Sequence, residues 1–503
     1  MKSAADIFLS EGSDGVRYKI LGEIVCIIAI FTSVIAIALD KEKSTRYHQH
    51  LENSDFEACN DHDDTKFCTH LPLVLIDTSG KEIPGSPITP ENGNLDEATY
   101  TTAEDGGTSI RAEIKVINND GKNNHLDDKA ELESFIDIRI RGNSSRFFDK
   151  KSYLVNAVDE NGNSKDVSMI GMDKFDQWAL HGPYLDKSLI RNYMWYNIAG
   201  EIMDYSPNVR FCEVFINGEY RGLYVMTETI GSKKDARLKL TEPLKNSPYT
   251  SYCIRLDRGS ANPLKNIQTF TQYAYRNLQN VDIVYPGAKN LTEERAKWIA
   301  QDFSDFEKAL YSYDYDTENY GFWNYTDVDS FAEYFIINEF TCNYDAGWLS
   351  TYAYKDIRGK IKMCIWDFNS ACDNYTQSLT NPQHLELQNN VWYYMMTKDE
   401  YFVNKVISKY KKLRRGVLSE KYLDNYIDDV VKWLGPAVQR NFEVWGYTFD
   451  IDMLVPAERN PENFDDAVSD MKTFIHNRGN WLDENIEILK QYCHESKIKK
   501  FNH

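Results

Sequence analysis

Between residues 134 and 227 the hydrophobic pattern runs in one order: strand, loop, strand, helix, hairpin. No other stretch limits the fold as much. Ser134 to Arg141 alternates through Ile136, Ile138 and Ile140, the two-residue period of a strand with one buried face. The pattern breaks at Gly142-Asn143-Ser144-Ser145 and resumes as a strand over Ser152 to Val158. After Asp186, the residues Leu189, Tyr193, Tyr196, Gly200 and Met203 recur at spacings of four, three, four and three, one face of a helix. Phe211 to Ile216 and Gly222 to Thr227 flank Asn217-Gly218, a hairpin pair because both residues accept positive φ.

Upstream, Leu73 to Ile76 and Ser109 to Ile117 predict strands, and residues 71–129 read as a β-rich extension. Ile20 to Leu39 carries a single charge, Glu23. At roughly 1.5 Å per residue its length matches a hydrocarbon core of about 30 Å. The expectation is a single-pass membrane anchor at 20–39, between a tail over 1–19 and a polar linker over 40–70. Lys2, Arg17 and Lys19 on one side against Lys41, Lys43 and Arg46 on the other leave the side of the membrane open. With 57 Lys and Arg against 77 Asp and Glu, the net charge of −20 argues against a nucleic-acid surface. A small phosphorylated ligand is not excluded, since it needs only a local basic pocket or a metal ion. Cys59 and Cys68 flank an acidic segment and can close a small loop in an oxidising compartment.

A second helix is expected near Ser330, where Ser330 and Glu333 have capping-box spacing. A hairpin follows, with strands over Leu349 to Tyr354 and Lys360 to Trp366, and helical patterns dominate beyond residue 400. Asp345 precedes that hairpin and Asp367 follows it, so paired strands return the two carboxylates to one edge. One acid positioning a hydroxyl and another holding a divalent cation is what phosphoryl transfer requires. Asn369 adds a hard carbonyl oxygen. Arg141 and the amides of the loop after it can meet anionic oxygens, and Lys150 and Lys151 open the next strand within reach of phosphates. Glu228 ends the strand that would lead into a nucleotide hinge. Each has an ordinary alternative, because aspartates flanking hairpins are common turn residues and strand-end charges are commonly solvated.

Taken together, Ile140 to Ser145, Lys150-Lys151-Ser152-Tyr153, Asp186 to Asn192, Val214 to Tyr224, Phe335 to Glu339 running into Asn343-Tyr344-Asp345-Ala346, and Trp366-Asp367-Phe368-Asn369 resemble the ordered signatures of the CotH (spore-coat protein H) kinase family. The similarity covers roughly residues 130–492. It implies an α+β, atypical protein-kinase-like two-lobed fold, with a β-rich N-lobe and a helical C-lobe, preceded here by the membrane helix. It further implies ATP, Mg²⁺ and transfer of phosphate to Ser or Thr of a protein substrate. Carried over, Asp345 matches the catalytic aspartate and Asp367 the metal aspartate, with Asn369 as a second metal ligand. Lys151 matches the nucleotide-phosphate lysine, with Lys150 its rival; Arg141 and Glu228 join the nucleotide contacts by their positions alone. The alternative is a catalytically inactive, membrane-tethered interaction module that keeps the same fold.

Overall fold

The computed structural model describes residues 46–52, 67–90, 98–119, 121–275, 280–390 and 392–494. The predicted membrane span at 20–39 lies outside these residues, and no helix within them is long and apolar enough to cross a membrane. From His48 onward the chain forms one compact unit.

Seven strands close into a barrel: β1 (Leu73–Asp77), β2 (Ile110–Ile117), β3 (Leu132–Arg141), β4 (Ser152–Val158), β5 (Gln177–His181), β6 (Val209–Ile216) and β7 (Glu219–Glu228). Neighbours run antiparallel except β6 with β1, a parallel pair that shuts the barrel. Alternation fills the interior: Ile136, Ile138 and Ile140 of β3 meet Val155 and Ala157 of β4 and Trp178 of β5. The Asn217-Gly218 hairpin forms as expected, with φ of 52° and 79° at the turn and Ile216 opposite Glu219. Two differences from the sequence reading stand out. The strands of the 71–129 stretch are staves of the same barrel as those beyond residue 130. Residues 49–52, within the expected linker, form a short helical turn docked on the barrel end. Gln49 exchanges hydrogen bonds of 3.2 and 2.7 Å with the Phe211 backbone, as a neighbouring strand would. Polar composition reads as a linker, but these polar groups are spent on specific partners.

Cys68 is disulfide-bonded; the described Cys212, Cys253, Cys342, Cys364, Cys372 and Cys493 are free, so its partner lies outside the described residues, as Cys59 does.

Against the barrel sit helix α1 (Arg191–Ile202) and a second sheet. That sheet contains β8 (Tyr252–Asp257), β9 (Asn266–Ile267), β10 (Asn280–Tyr285), β11 (Thr351–Lys355) and β12 (Lys362–Cys364), in the spatial order β9-β10-β8-β11-β12. Helices α2 (Glu293–Tyr311), α3 (Val328–Thr341), α4 (Glu400–Leu413), α5 (Glu420–Leu434), α6 (Pro436–Trp445) and α7 (Phe464–Asn485) supply the rest of the larger core. The second part is therefore mixed rather than purely helical. Helix α3 is capped by Asp327, which accepts from the Ser330 amide at 3.1 Å, one turn earlier than the capping-box spacing suggests. It ends at Cys342, whose left-handed φ of 44° turns the chain toward Asp345.

Candidate active site

The site is built where the end of the β11–β12 hairpin meets helix α1 and the Arg141 end of β3. The hairpin pairs Tyr352 with Cys364 and Tyr354 with Lys362, so the chain leaves and returns at the same end. The return is stitched directly: Asn343, two residues before Asp345, donates to the Asp367 carbonyl at 3.0 Å. Asp367 itself holds a positive φ of 60°, a strained conformation for a residue with a side chain. Three groups over-determine it. The Tyr196 hydroxyl accepts from its amide at 2.9 Å, and Asn369 donates to its Oδ1 through both backbone (3.2 Å) and side chain (2.7 Å). Asn192 of α1 then clamps the turn, donating to Asn369 Oδ1 at 3.1 Å and accepting from the Phe368 amide at 2.8 Å.

Asp345 is different in character. No hydrogen bond reaches its carboxylate among the described residues. Burial first, then the Asp367 charge, pushes its pKa up to about 6, with Asp257 adding to the rise and Arg258 opposing it. Burial also raises Asp367, while the Asn369 amide and Arg141 pull it back. Asp257, the last residue of β8, thus acts on both acids, and Arg255 and Arg258 each stand 3.7 Å from its carboxylate.

Opposite these acids is a cationic strand edge. Arg139 and Arg141 share the outward face of β3, since Ile138 and Ile140 point inward. Burial, followed by Arg146, Arg141 and Arg255, depresses the Arg139 pKa, which records cations converging without enough acid among them. Neither Arg139 nor Arg141 forms an ion pair among the described residues. The Arg141 guanidinium lies 5.5 Å from the centre of the Trp366 ring. Gly142, at φ 105°, starts the loop beyond it, and a Cβ there would strike Ser145 Oγ.

The remaining expected residues are placed elsewhere. Lys150 is 1% exposed and donates to the Leu223 carbonyl at 2.7 Å and Asn441 Oδ1 at 2.6 Å, in the seam between β7 and α6. Burial drives its pKa well down. Lys151 is half-buried and ties back the loop after β3 by donating to the Arg146 carbonyl at 2.7 Å. Glu228 is buried at the exit of β7, near the Asn208 amide (3.3 Å) and Arg237 (3.6 Å). The structure brings Arg141, Asp345, Asp367 and Asn369 together, places Lys150 with Arg141 and Asn369 around the buried His181, and holds Glu228 at the exit of β7. Arg141→Ala should weaken binding of any phosphorylated ligand at this acidic site at least about tenfold, the value of a charged hydrogen bond. Lys150→Met should leave it within about threefold and instead shift the unfolding midpoint. Calorimetric titration and melting of both variants check this.

Sequence reasoning missed Asp257, Arg139, Asn192 and Asn343. Strand alternation already places Arg139 beside Arg141, and Asn343 lies two residues from Asp345. Asn192 lies in the Asp186–Asn192 signature but carries no role there, and Asp257 has no local signal, because sheet pairing brings it in.

The family described as CotH kinase protein matches residues 138–482, most of the chain. No curated protein matches it.

Proposed function

The chain belongs to the CotH kinase family, and from that premise we propose that it transfers the terminal phosphate of ATP to a serine or threonine hydroxyl of a protein substrate, with Mg²⁺ bound. One observation carries this reading: Arg141, a guanidinium with no ion pair among the described residues, acts on Asp367, whose charge in turn acts on Asp345, and Asp257 acts on both acids. Phosphates need the guanidinium, and a metal cation and an attacking hydroxyl need the carboxylates.

The donors fit a hard cation. Asp367 and Asn369 would hold it, and Asn343 offers a third oxygen. The Asn343 amide donates to Asn338 Oδ1 and the Asp367 carbonyl, both acceptors, so its orientation is fixed. Its Oδ1 is left buried without a hydrogen-bond partner. Among the described residues no three His, Cys, Asp or Glu side chains gather as a metal cage. Mg²⁺ takes one or two carboxylates and completes its shell from phosphate and water. When bound, it neutralises charge on the phosphates. The protein's own residues do the rest. Arg141 binds phosphate oxygens, the Asn192 clamp keeps Asp367 aimed, and Asp345, with no competing donor, accepts the substrate hydroxyl proton. A carboxylate near 6 is charged at neutral pH yet basic enough for that task. Attachment to a membrane through residues 20–39 and a protein as phosphate acceptor belong to the same proposal.

Full-length protein incubated with γ-labelled ATP and Mg²⁺ should transfer label to serine or threonine of itself or of a Ser/Thr-rich peptide, recovered as phospho-amino acid. Nucleotide binding with no transferred label would overturn the reading and leave an interaction module.

The acid pair also makes a pH signature in metal-free protein. A raised carboxylate pKa means the fold favours protonated Asp345. Its contribution to stability is present below the unfolded value near 3.8 and is lost as pH rises through about 6. Asp345→Asn should therefore stabilise the metal-free chain by up to about 3 kcal/mol near pH 8 and by almost nothing near pH 4. Denaturation midpoints at the two pH values measure it.

A further inference from the structure

Two tyrosine rings close on each other beside Asp345, one from each of the segments that build the acidic site. Tyr344 lies between Asp345 and Asn343, whose side chain is held by the Asp367 carbonyl. Tyr375 follows Asn374, a 4% exposed residue that donates to the Asn369 carbonyl at 2.8 Å. The rings are stacked, with centroids 3.8 Å apart and planes 17° from parallel. Tyr375 is fixed further by its hydroxyl, which donates to Gln377 Oε1 at 3.0 Å. Yet Tyr344 is 44% exposed, and among the described residues no ring other than Tyr375 meets it. With one face against Tyr375, its other face is open to solvent one residue from Asp345. Trp348, whose amide donates to the Asp345 carbonyl at 3.1 Å, is also 44% exposed, so the turn carrying this acid presents a second aromatic side chain. A lone exposed ring is ordinary on a protein surface. A ring stacked across two anchored segments is different, because the side-chain freedom that binding would cost is already lost.

We propose that the Tyr344–Tyr375 pair is the docking platform for the phosphate acceptor, and that it selects a polypeptide with an aromatic side chain next to the Ser or Thr that is modified. This rests on the reading of Asp345 as the group that accepts the hydroxyl proton. Electrostatic influence runs in a series: Arg141 acts on Asp367, Asp367 on Asp345, and Asp345 on Tyr375. The tyrosines sit at the Asp345 end of that series and the phosphate-binding guanidinium at the other. Phosphoryl transfer places the attacking hydroxyl and the leaving nucleotide in line, on opposite sides of the phosphorus. A ring beside the proton acceptor therefore meets the acceptor molecule and not the adenine. Stacking suits an aromatic occupant, because it needs a flat partner and offset rings attract beyond the area they bury. The platform is also uncharged. Burial, then Tyr344, then Asp345, pushes the Tyr375 pKa up to about 12, so its hydroxyl keeps its proton at neutral pH.

The test uses the full chain carrying Asp367→Asn, so that the outcome does not depend on phosphoryl transfer. Two peptides, each with one serine in a glycine background, are titrated by calorimetry; phenylalanine flanks the serine in one and alanine in the other. The phenylalanine peptide should bind about tenfold more tightly, the scale of a ring contact. Adding Tyr344→Ala should erase the difference, and adding Tyr344→Phe should keep it, because the ring face and not the hydroxyl is used. No measurable binding of either peptide, equal binding of the two, a difference that survives Tyr344→Ala, or one that is lost in Tyr344→Phe would each overturn the proposal. So would ATP binding weakened about tenfold by Tyr344→Ala, which would give the platform to the adenine. The parent chain with labelled ATP and the same peptides reads the reaction separately. Phenylalanine-dependent binding with no label transferred would overturn the phosphotransfer reading and leave Tyr344–Tyr375 as a peptide-docking surface.

Discussion

Asp367→Asn should abolish phosphoryl transfer, by about 10³-fold or more, while leaving the protein folded. The substitution keeps the side-chain shape, and asparagine tolerates the left-handed conformation at φ 60° that this position demands. What disappears is the charge. Oxygen-only sites bind Mg²⁺ through one or two carboxylates, and the other donors here, Asn369 and Asn343, are neutral. In a reaction carried by positioning and electrostatics, losing the charged ligand removes most of the acceleration. A second readout separates this from a general defect. Mg²⁺ with ATP should raise the melting temperature of the parent chain and not that of Asp367→Asn. Transfer within about tenfold of the parent would remove Asp367 from the metal role.

Arg478→Met should destabilise the chain by about 3–5 kcal/mol, the cost of leaving one buried charge without its partner. Arg478, on α7, is fully buried and pairs with Glu339 of α3 at 2.5 Å. The same guanidinium donates to the Pro382 carbonyl at 2.7 Å and to the His384 carbonyl at 2.5 Å. Glu339 in turn accepts from the amides of Glu386 and Leu387 at 2.8 and 2.7 Å. Two helices and the segment 382–387 are therefore joined through one ion pair. Burial raises the Glu339 pKa, and Arg478 is the largest influence opposing that rise. Without the arginine the carboxyl should take up a proton on folding, so the loss should be smaller in acid than at neutral pH. Adding Glu339→Gln to Arg478→Met should recover part of the loss, which chemical denaturation of the single and double variants measures. Because α3 ends at Cys342 and leads to Asp345, activity should fall with stability in the single variant.

Much of the site was legible because its signal is local. The hairpin between Asp345 and Asp367 forces their approach, and the strand period before Gly142 sets Arg141 at a barrel edge. Lys150 shows where local reading ends. Both lysines sit at the start of β4 in the sequence, but only packing of α6 against β7 brings Asn441 to one of them and buries it. The barrel shows the same limit on a larger scale. Alternating residues announce six of the seven barrel strands, Gln177–His181 being the exception, but not closure, which rests on β1 pairing parallel with β6 more than a hundred residues away.

The sequence by itself determined most of the barrel strands, the helices near Leu189 and Ser330, the Asn217-Gly218 turn, and that two carboxylates flank one hairpin, but not β5, β8, β9, β10 or α2. What it determined follows from side-chain periodicity and turn chemistry, which act over a few residues. The tertiary structure decided which charges matter. Asp257 and Asn192 join the site, Lys150 is spent on the Leu223 carbonyl and Asn441, and Lys187 is left without an acceptor. The reason is that desolvation and Coulomb interactions depend on distance through the folded protein, and distance along the chain does not predict it.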